Sequence, residues 1–382
     1  MKRRRIDIQQ DAIMWLLRPI VKVWMRIDAK RKVIKGEGVS FKRKEPYILL
    51  ANHTFVIDVV HVPLILKKVP FIVANQTLFK KNATKFLMTQ VAHVISKSKG
   101  QSDSTTVREL ISAIKRGYPI LIFPEGDTTF YGETGYIEPS TMKLIKKLEL
   151  DLITCNVRGG YLSKPRWALF KRKNRQIELN YQLTLTKDQI KDMSVEAIEE
   201  VVKDALYHNA YEYQRTHMIK RPGKNLAHGL EDVVYVCPHC EAINSIETSG
   251  HTIKCNACQK EGHLDEYGFI HDFVFDNLVD WNNFQKKYSN QLRNSILKTT
   301  GELSFFTEKV TDIHVVGLVD LRYELGQFHV TGAQNEVINL ADISNPTITM
   351  RRDFSFYYQE KYYLFKLDHS GVAFLRLTQD KY

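Results

Sequence analysis

Short apolar runs alternate with helical patterns between Tyr47 and Tyr181, and this alternation constrains the fold more than any other feature of the chain. The runs that predict strands are residues 47–50, 71–73, 120–123, 152–155 and 177–181. Between them the pattern predicts an apolar helix that follows residues 51–53 and runs through Leu66. It predicts a second helix, capped by Asp103 or Ser104, that ends at Gly117. A further helix is predicted from Ser194. Strands that alternate with helices predict an α/β domain, with helices covering a mixed, mostly parallel sheet, at residues 46–225.

The C-terminal part of the chain has a different periodicity. From about Glu302 apolar residues recur at every second position, which is typical of strands. The runs are residues 303–305, 315–318, 347–350, 354–358 and 362–365, with turns at 359–361 and 369–371. We therefore expect a small antiparallel β domain at 301–382, whose role the sequence does not indicate, preceded by a helical connector at 271–300.

The N-terminal end is strongly basic. Residues 1–50 carry fourteen Lys and Arg against five Asp and Glu, a net charge of +9 out of +12 for the whole chain. Residues 6–29 predict two short amphipathic helices, because Pro19 interrupts the apolar pattern. Trp15 and Trp24 stand beside basic residues, a composition typical of helices that lie in anionic lipid headgroups. We expect residues 1–45 to bind a membrane surface; the alternative is a helix packed on the core with a solvated basic face.

The sequence also bears on the compartment. No run of eighteen apolar residues is present, and no small-residue cleavage site follows the N-terminal apolar stretch. We therefore expect a cytoplasmic protein, peripheral on the inner face of the cell membrane.

The cysteines form two Cys-x-x-Cys pairs, Cys237 with Cys240 and Cys255 with Cys258, separated by fourteen residues. Two such pairs on a hairpin place four thiolates around one tetrahedral Zn²⁺, which predicts a zinc ribbon at residues 233–270. Four protein ligands leave no open position for a catalytic water, so the zinc would be structural and no catalytic cofactor is expected. The ribbon is not notably basic, which argues against a nucleic-acid partner. Cys155, the remaining cysteine, follows an apolar run and is predicted to be an inert core thiol.

Two motifs carry candidate chemistry. The first, residues 52–58, reads Asn-His-Thr-Phe-Val-Ile-Asp. Five positions turn a straight helix by about 500°, so His53 and Asp58 would meet only if His53 lies in the strand-to-helix turn and Asp58 in the first helical turn. The carboxylate would then orient the imidazole, which would act as a base on an external hydroxyl. The alternative is that both residues merely cap a helix.

The second motif, residues 123–129, reads Phe-Pro-Glu-Gly-Asp-Thr-Thr and also follows a predicted strand. Gly126 allows backbone N–H groups to approach a ligand, and Thr128 and Thr129 add hydroxyl donors, as in an anion-binding turn. The alternative is a turn without a role. Loops that follow the carboxyl ends of parallel strands converge on one crevice, so we expect both motifs to line it.

Asn-His-x-x-x-x-Asp followed about seventy residues later by Phe-Pro-Glu-Gly resembles the signature pair of the PlsC-type 1-acylglycerol-3-phosphate acyltransferases, over residues 10–215. The resemblance implies acyl transfer from acyl-carrier protein or acyl-CoA to the 2-hydroxyl of lysophosphatidic acid. It implies that His53 is the general base, Asp58 its orienting partner, and Glu125 with Gly126 part of the acceptor pocket. It also implies an N-terminal two-helix membrane anchor.

The sequence departs from the family where the acceptor phosphate would bind. The family usually has Thr-Arg-Ser after Phe-Pro-Glu-Gly, whereas residues 127–129 are Asp-Thr-Thr, which removes a cation and adds a carboxylate. We expect Lys97 or Lys99 to supply the phosphate contact, with Arg158 a weaker candidate. The full set of candidate substrate-binding residues is Asn52, Lys97, Lys99, Glu125, Gly126, Thr128 and Thr129. Solvated loop lysines, an uncharged acceptor such as a glycolipid, a non-catalytic lipid-binding protein and a nucleic-acid-binding zinc-ribbon protein remain as alternatives.

Overall fold

A computed structural model of the chain describes residues 4–75, 90–97, 104–306, 313–369 and 371–378. The chain divides into two compact units. The first comprises residues 1–165 and 174–219, and the second comprises residues 166–173 and 220–382.

The first unit alternates helices and strands, as the sequence pattern predicts. Its helices are α1 (Arg5–Asp28), α2 (Asp58–His61), α3 (Ser104–Lys115), α4 (Pro139–Leu148), α5 (Gly160–Ser163), α6 (Lys187–Asp192), α7 (Val195–Leu206) and α8 (Ala210–His217). Its strands are β1 (Lys30–Lys35), β2 (Ile48–Ala51), β3 (Phe71–Asn75), β4 (Val94–Lys97), β5 (Ile120–Ile122), β6 (Leu152–Arg158) and β7 (Gln176–Leu185).

Within the described residues, the seven strands of this unit form one sheet in the order β1-β7-β6-β2-β5-β3-β4. All neighbouring pairs are parallel except β6 and β7, which run antiparallel. The prediction of a mixed, mostly parallel sheet is therefore confirmed. Parallel strands of this kind are buried on both faces, which is why they appear in the sequence as continuous apolar runs.

Alternate side chains of each strand enter two separate cores, because successive residues of a strand point to opposite faces. Ile48 and Leu50 of β2 belong to a cluster that includes residues of α3, α4 and α7. Leu49 and Ala51 belong to a second cluster, on the face covered by the segment from Phe55 to Leu66. The carboxyl end of β2 thus emerges between two packed layers, and the chain that follows it is firmly placed.

The N-terminal segment is one helix, not the two short helices that Pro19 led us to expect. Contacts on both sides of Pro19 hold α1 to the first unit. Asp7 forms an ion pair with Arg116 at 2.8 Å, and Asp28 forms one with Arg175 at 2.6 Å. These tertiary contacts offset the backbone hydrogen bond that proline removes. Within the described residues, no helix combines the length and the apolar composition needed to cross a bilayer.

The apolar helix expected after residues 51–53 and through Leu66 is also shorter than predicted. It is a single turn, α2, followed by a 3₁₀ turn at Pro63–Ile65. The chain turns irregularly before α2 because the Asp58 carboxylate accepts hydrogen bonds from backbone N–H groups of that turn.

The second unit contains two antiparallel sheets among its described residues. The smaller sheet carries the cysteine pairs and consists of β8 (Ile246–Ser249), β9 (Thr252–Cys255), β10 (Glu261–Leu264) and β11 (Ile270–His271). Two helices follow, α9 (Leu278–Gln285) and α10 (Ser289–Arg293). The larger sheet consists of β12 (Leu297–Phe306), β13 (Ile313–Glu324), β14 (Gln327–Gly332), β15 (Glu336–Asn339), β16 (Ser344–Thr349), β17 (Asp353–Tyr358) and β18 (Lys361–Leu367), and α11 (Gly371–Thr378) follows it. The predicted antiparallel character of the C-terminal region is confirmed.

Candidate active site and cysteine cluster

His53 and Asp58 meet in the turn after β2. The strand ends at Ala51, His53 lies in the turn, and Asp58 is the first residue of α2. The His53 Nδ1 and Asp58 Oδ1 atoms are 2.7 Å apart, and the Asp58 side chain is fully buried. Asp58 Oδ2 accepts hydrogen bonds from the backbone N–H groups of Thr54, at 2.8 Å, and Phe55, at 3.1 Å. One carboxylate therefore fixes both the shape of the turn and the orientation of the imidazole.

Opposing influences act on the protonation of His53. Burial lowers the pKa of the imidazole, but the carboxylates of Asp58, Glu125 and Asp127 together raise it above its ordinary value. The ring also packs on Phe123, with ring centroids 4.5 Å apart. The carboxylates stabilise the imidazolium, which is the form that a histidine base reaches after it takes a proton.

Residues 123–129, the Phe-Pro-Glu-Gly turn, bind both backbone polar groups of His53. Glu125 Oε1 accepts a hydrogen bond from the His53 N–H at 2.7 Å, and the Thr129 N–H donates to the His53 carbonyl at 2.9 Å. Glu125 Oε2 accepts from the Gly135 N–H at 2.6 Å. The second motif thus fixes the backbone of His53 in the first motif.

The Glu125 carboxyl group is itself perturbed. Burial raises its pKa to about 7, although the N–H donors of Gly135 and His53 and the charge of His53 act in the opposite direction. The group therefore titrates near neutral pH, within hydrogen-bonding distance of the His53 backbone.

The other residues of the Phe-Pro-Glu-Gly turn have distinct positions. Gly126 is exposed with φ +71°, a left-handed conformation that favours glycine, and no atom lies within 4 Å of where a Cβ would be. Thr128 is buried, and its N–H donates to Asp127 Oδ1 at 3.0 Å. The Thr129 hydroxyl donates to the Glu133 carbonyl at 2.6 Å, so it braces the loop from within.

Asn52 also makes its contacts inside the protein. Its amide nitrogen donates to the Val157 carbonyl at 3.0 Å, and its amide oxygen accepts from the Val157 N–H at 2.6 Å. The residue is buried. Paired on both sides, it joins the end of β2 to β6, which favours a structural role over the substrate contact that the motif suggested.

Of the two lysines expected near the acceptor phosphate, Lys97 lies within the described residues. Lys97 is the last residue of β4 and pairs with Asn75 at the end of β3, so its backbone is at the same edge of the sheet as His53. In the strand order β4 is three positions from β2, about 14 Å away. Lys99 lies outside the described residues.

Arg158 ends β6, which pairs directly with β2. Its neighbour Val157 is the residue that Asn52 binds, so Arg158 is at the same corner of the sheet as His53. The Arg158 side chain is partly exposed and is 3.4 Å from the carboxylate of Glu178.

Residues 32–158 match the model of the family described as "Acyltransferase". This part of the chain is an acyltransferase domain. The acyltransferase activity predicted from the two motifs is confirmed for this domain. No curated protein matches the chain. The solved structure of the 1-acyl-sn-glycerophosphate (LPA) acyltransferase PlsC from Thermotoga maritima is similar to it, with 18% identity and a TM-score of 0.41, covering 51% of this chain and 78% of that one.

A narrow hollow, too small to hold a water molecule, adjoins the His53 turn of the acyltransferase domain, and no sequence pattern predicts it. Residues that line it include Asn52, Glu125, Glu133, Thr134 and His208. His208 follows α7, far along the chain, and its Nε2 is buried without a hydrogen-bond partner among the residues that the structure describes. Burial lowers the His208 pKa to about 3, and the positive charge of Arg158 acts in the same direction. No motif surrounds His208, so only the fold brings it to this place.

The four cysteines that follow the acyltransferase domain converge. Their sulfur atoms all lie within 4.8 Å of one another, and no cysteine of the chain forms a disulfide. The Sγ atoms of Cys237 and Cys258 are 4.0 Å apart, and those of Cys240 and Cys255 are 3.7 Å apart. Four sulfurs around one tetrahedral Zn²⁺ at 2.3 Å would be about 3.8 Å apart, so the spacing fits such an ion. The cluster can hold a metal ion.

Proposed function

We propose that the protein transfers a fatty acyl group from an acyl-carrier-protein or CoA thioester to the 2-hydroxyl of lysophosphatidic acid, making phosphatidic acid at the cytoplasmic surface of the membrane. His53 is the general base and Asp58 its orienting partner. The reaction belongs to phospholipid biosynthesis.

The contact between His53 Nδ1 and Asp58 Oδ1, at 2.7 Å, is the observation that carries the proposal. With Nδ1 beside the carboxylate, Nε2 is the ring nitrogen left to act on an acceptor hydroxyl. In the proposed step Nε2 takes the hydroxyl proton and the hydroxyl oxygen attacks the thioester carbonyl. As the C–S bond breaks, the imidazolium returns the proton to the leaving sulfur. General-base catalysis of this kind contributes about 10²–10⁴-fold to the rate.

Direct transfer is favoured over an acyl-enzyme intermediate. Cys155 pairs with Ala51 in the sheet and is therefore close to the site, but its thiol is completely buried. Burial raises the pKa of this thiol far above its ordinary value, which keeps it from forming the nucleophilic thiolate.

Glu125 and Thr129 act as positioning residues in this proposal, because each binds the backbone of His53. Gly126 provides the left-handed turn between them. Contacts of Asn52, Gly126, Thr128 or Thr129 with substrate remain predictions from the motifs.

Arg158 is our first choice for the acceptor phosphate, ahead of Lys97 and Lys99. It is on the strand beside β2, whereas Lys97 is three strands away. Arginine also binds phosphate through two parallel hydrogen bonds. Replacing Arg158 by alanine should raise the Michaelis constant for lysophosphatidic acid with a smaller change in kcat. An effect confined to the double variant Lys97→Ala, Lys99→Ala would instead favour the lysines.

An uncharged hydroxyl acceptor, such as a glycolipid, is the second candidate. Asp127 favours it, because this carboxylate stands where the family usually has a cation and would repel a phosphate. The test is incubation with acyl-carrier-protein and CoA thioesters and a panel of lysophospholipid and glycolipid acceptors. Transfer to lysophosphatidic acid supports the first proposal, and transfer to neutral lipids alone supports the second.

We further propose that the metal of the cysteine cluster is one structural Zn²⁺ held by Cys237, Cys240, Cys255 and Cys258. Sulfur ligands alone, at tetrahedral spacing, favour zinc over magnesium or calcium, which take oxygen ligands. The Ser245 hydroxyl, 3.2 Å from the Cys255 sulfur, adds a polar contact to one ligand.

Peripheral membrane binding through α1 completes the proposal. Large apolar side chains of this helix are exposed, among them Trp15 at 76%, Leu16 at 68% and Ile27 at 77%. Apolar side chains on one helix, with Lys and Arg beside them, are typical of helices that lie in the membrane interface.

A further inference from the structure

A basic groove lies at the edge of the sheet opposite the candidate active site. Its volume is about 640 Å³, and the lining residues include Trp15, Arg18, Lys42, Lys44, Lys67 and Lys68. We propose that this groove binds the phosphate of an anionic phospholipid headgroup and so sets the side of the protein that faces the membrane. The inference rests on the proposed membrane association and goes beyond it, because all four of these lysines lie outside α1.

The position of the groove follows from the direction of the strands. Residues 42–44 precede β2 and residues 67–68 precede β3, and both strands run parallel to β5. The cations therefore lie at the amino edge of the sheet, whereas His53 follows the carboxyl end of β2. The four residues of β2, about 13 Å, separate the two edges. The groove is thus a site apart from the acceptor pocket.

Hydrogen bonds across the amino edge hold the basic segments together. The Lys67 N–H donates to the Phe41 carbonyl at 2.8 Å, which joins the segment before β3 to the segment before β2. The Lys68 ammonium donates to the Gly117 carbonyl, and the Arg18 guanidinium donates to the Leu66 carbonyl. These contacts place positive charge from three separate parts of the chain around one hollow.

Three ammonium groups of the groove are available to a ligand. Arg43 forms an ion pair with Asp151, at 2.6 Å. Lys42, Lys44 and Lys67 are exposed, and their ammonium groups form no ion pair or hydrogen bond with the described residues. Unpaired cations at close range attract an anion, and each lysine near an anionic membrane strengthens binding about fivefold. The groove also accounts for part of the charge excess of residues 1–50.

The surroundings favour a lipid over a soluble phosphate compound. Trp15 lines the groove, yet its side chain is 76% exposed, and other exposed apolar side chains lie along the same helix. Tryptophan is enriched where an apolar phase meets polar headgroups. A phosphate in the groove would leave its acyl chains beside this apolar side of α1.

The first test is flotation with vesicles of phosphatidylcholine, with and without added phosphatidylglycerol. The variant Lys42→Ala, Lys44→Ala, Lys67→Ala should bind the anionic vesicles about 100-fold more weakly than wild type. The matched control, Lys143→Ala, Lys147→Ala, Lys203→Ala, makes the same change in net charge with exposed lysines of α4 and α7, none of which lines the groove. It should lose no more than about threefold, because distant surface charges are screened. Equal losses in both variants, or no loss in the groove variant, would contradict the inference.

Tryptophan fluorescence gives an independent readout. Trp167 and Trp281 are buried, so a Trp24→Phe chain has Trp15 as its exposed tryptophan. Its emission should shift to shorter wavelength with anionic vesicles, and the three groove substitutions should move the shift to higher lipid concentration. An unchanged emission on bound vesicles would place Trp15 outside the contact and contradict the inference.

Two further arms separate this inference from its alternatives. The first arm measures the melting temperature with inorganic phosphate. If phosphate raises it in wild type but not in the groove variant, and wild type does not bind vesicles, the groove binds a soluble phosphate and the lipid proposal is overturned. Binding of a DNA duplex without vesicle binding would overturn it also.

Acyl transfer to a short-chain, water-soluble acceptor should be unchanged in the groove variant. If wild type binds vesicles but transfers no acyl group, the proposed function fails while the groove stands.

Discussion

The molecule gathers reactive side chains at two places, and it does so in different ways. At the candidate active site, backbone N–H groups and carboxylates hold one another: Asp58 binds the turn and the imidazole, and Glu125 binds the backbone of His53. At the cysteine cluster, four sulfur atoms approach within 4.8 Å, although neutral thiols form only weak hydrogen bonds.

The two sites therefore depend on different interactions for their geometry. The active-site turn lies between two packed layers of a mostly parallel sheet, so its geometry is a property of the folded chain. The cysteines lie on short strands and turns, where a bound metal ion would supply the attraction that the thiols lack. The following predictions test this contrast between a site organised by the fold and a site organised by a ligand.

Removing the metal should have the largest effect. The purified chain should contain one zinc per molecule, and chelation or Cys240→Ser should abolish protection from hydrogen exchange around residues 237–258. Zinc contributes about 10–16 kcal/mol to the folding of isolated zinc-finger peptides, so the local loss should be complete.

Cys155→Ala is the control for this experiment, because Cys155 is the cysteine outside the cluster. It should leave the zinc content unchanged. A purified wild-type chain without metal, whose residues 237–258 are nevertheless protected, would show that the fold alone organises the cluster.

The next largest effect should come from Glu125→Gln. A glutamine can accept only one of the two hydrogen bonds that Glu125 accepts, so either the partly buried His53 N–H or the exposed Gly135 N–H loses its partner. The loss of a hydrogen bond to a charged group costs about 1.5–3 kcal/mol in the free energy of unfolding. The rate of acyl transfer should fall as well, since the His53 backbone loses its anchor. Denaturant unfolding and steady-state kinetics measure the two effects.

The pH dependence of this variant has a definite sign. Folding raises the pKa of Glu125 from its ordinary value of 4.5 to about 7, so its contribution to stability is full below pH 4.5 and is lost as the pH rises through 7. Glu125→Gln should remove this dependence. Glu133→Gln, which changes a glutamate bonded to the Tyr207 hydroxyl beside the same hollow, should retain it. The same pH profile in both variants would contradict the role of Glu125.

The sequence made part of this site predictable and left part of it hidden. The central strands β2, β5 and β6 are buried on both faces, so continuous apolar runs marked them, whereas the exposed, lysine-rich edge strand β1 was not predicted. The turn between β2 and α2 followed from the spacing of His53 and Asp58. The hydrogen bond that Glu125 accepts from the His53 N–H could not be predicted, because a contact to the backbone of a residue 72 positions away leaves no pattern in the side chains. His208 reaches the site by the same kind of long-range packing.

The remaining errors also have physical causes. Pro19 predicts a break in an isolated helix, but ion pairs at Asp7 and Asp28 hold α1 as one helix. In the C-terminal region β14 and β15 escaped prediction, since they contain polar residues and pair at one edge of the larger sheet.

A smaller effect is expected at Gly126. Because its φ is +71° and a Cβ would contact nothing, Gly126→Ala should lower the free energy of unfolding by about 1–2 kcal/mol through backbone strain alone. Gly126→Asn should recover part of that loss, since asparagine tolerates the left-handed conformation better. If both variants are stable but inactive, the glycine is required for close approach of the substrate and not for the turn.

The smallest effect concerns the charge of Asp127. Its carboxylate is one of those that raise the pKa of His53 against the effect of burial, so Asp127→Asn should lower that pKa. A general base works when neutral, and the acidic limb of the kcat/KM profile should therefore move to lower pH, by a fraction of a pH unit. Asp192→Asn, an exposed residue of α6, makes the same charge change and should leave the limb in place. A shift to higher pH in Asp127→Asn would contradict this electrostatic account.

The most direct test of the central claim is the rate of acyl transfer from a thioester to lysophosphatidic acid in wild type and in His53→Ala, with the melting temperature and zinc content of both measured alongside. The account predicts that wild type forms phosphatidic acid and that His53→Ala is slower by about 10²–10⁴-fold with its fold intact. A His53→Ala protein that transfers the acyl group at the wild-type rate would contradict it.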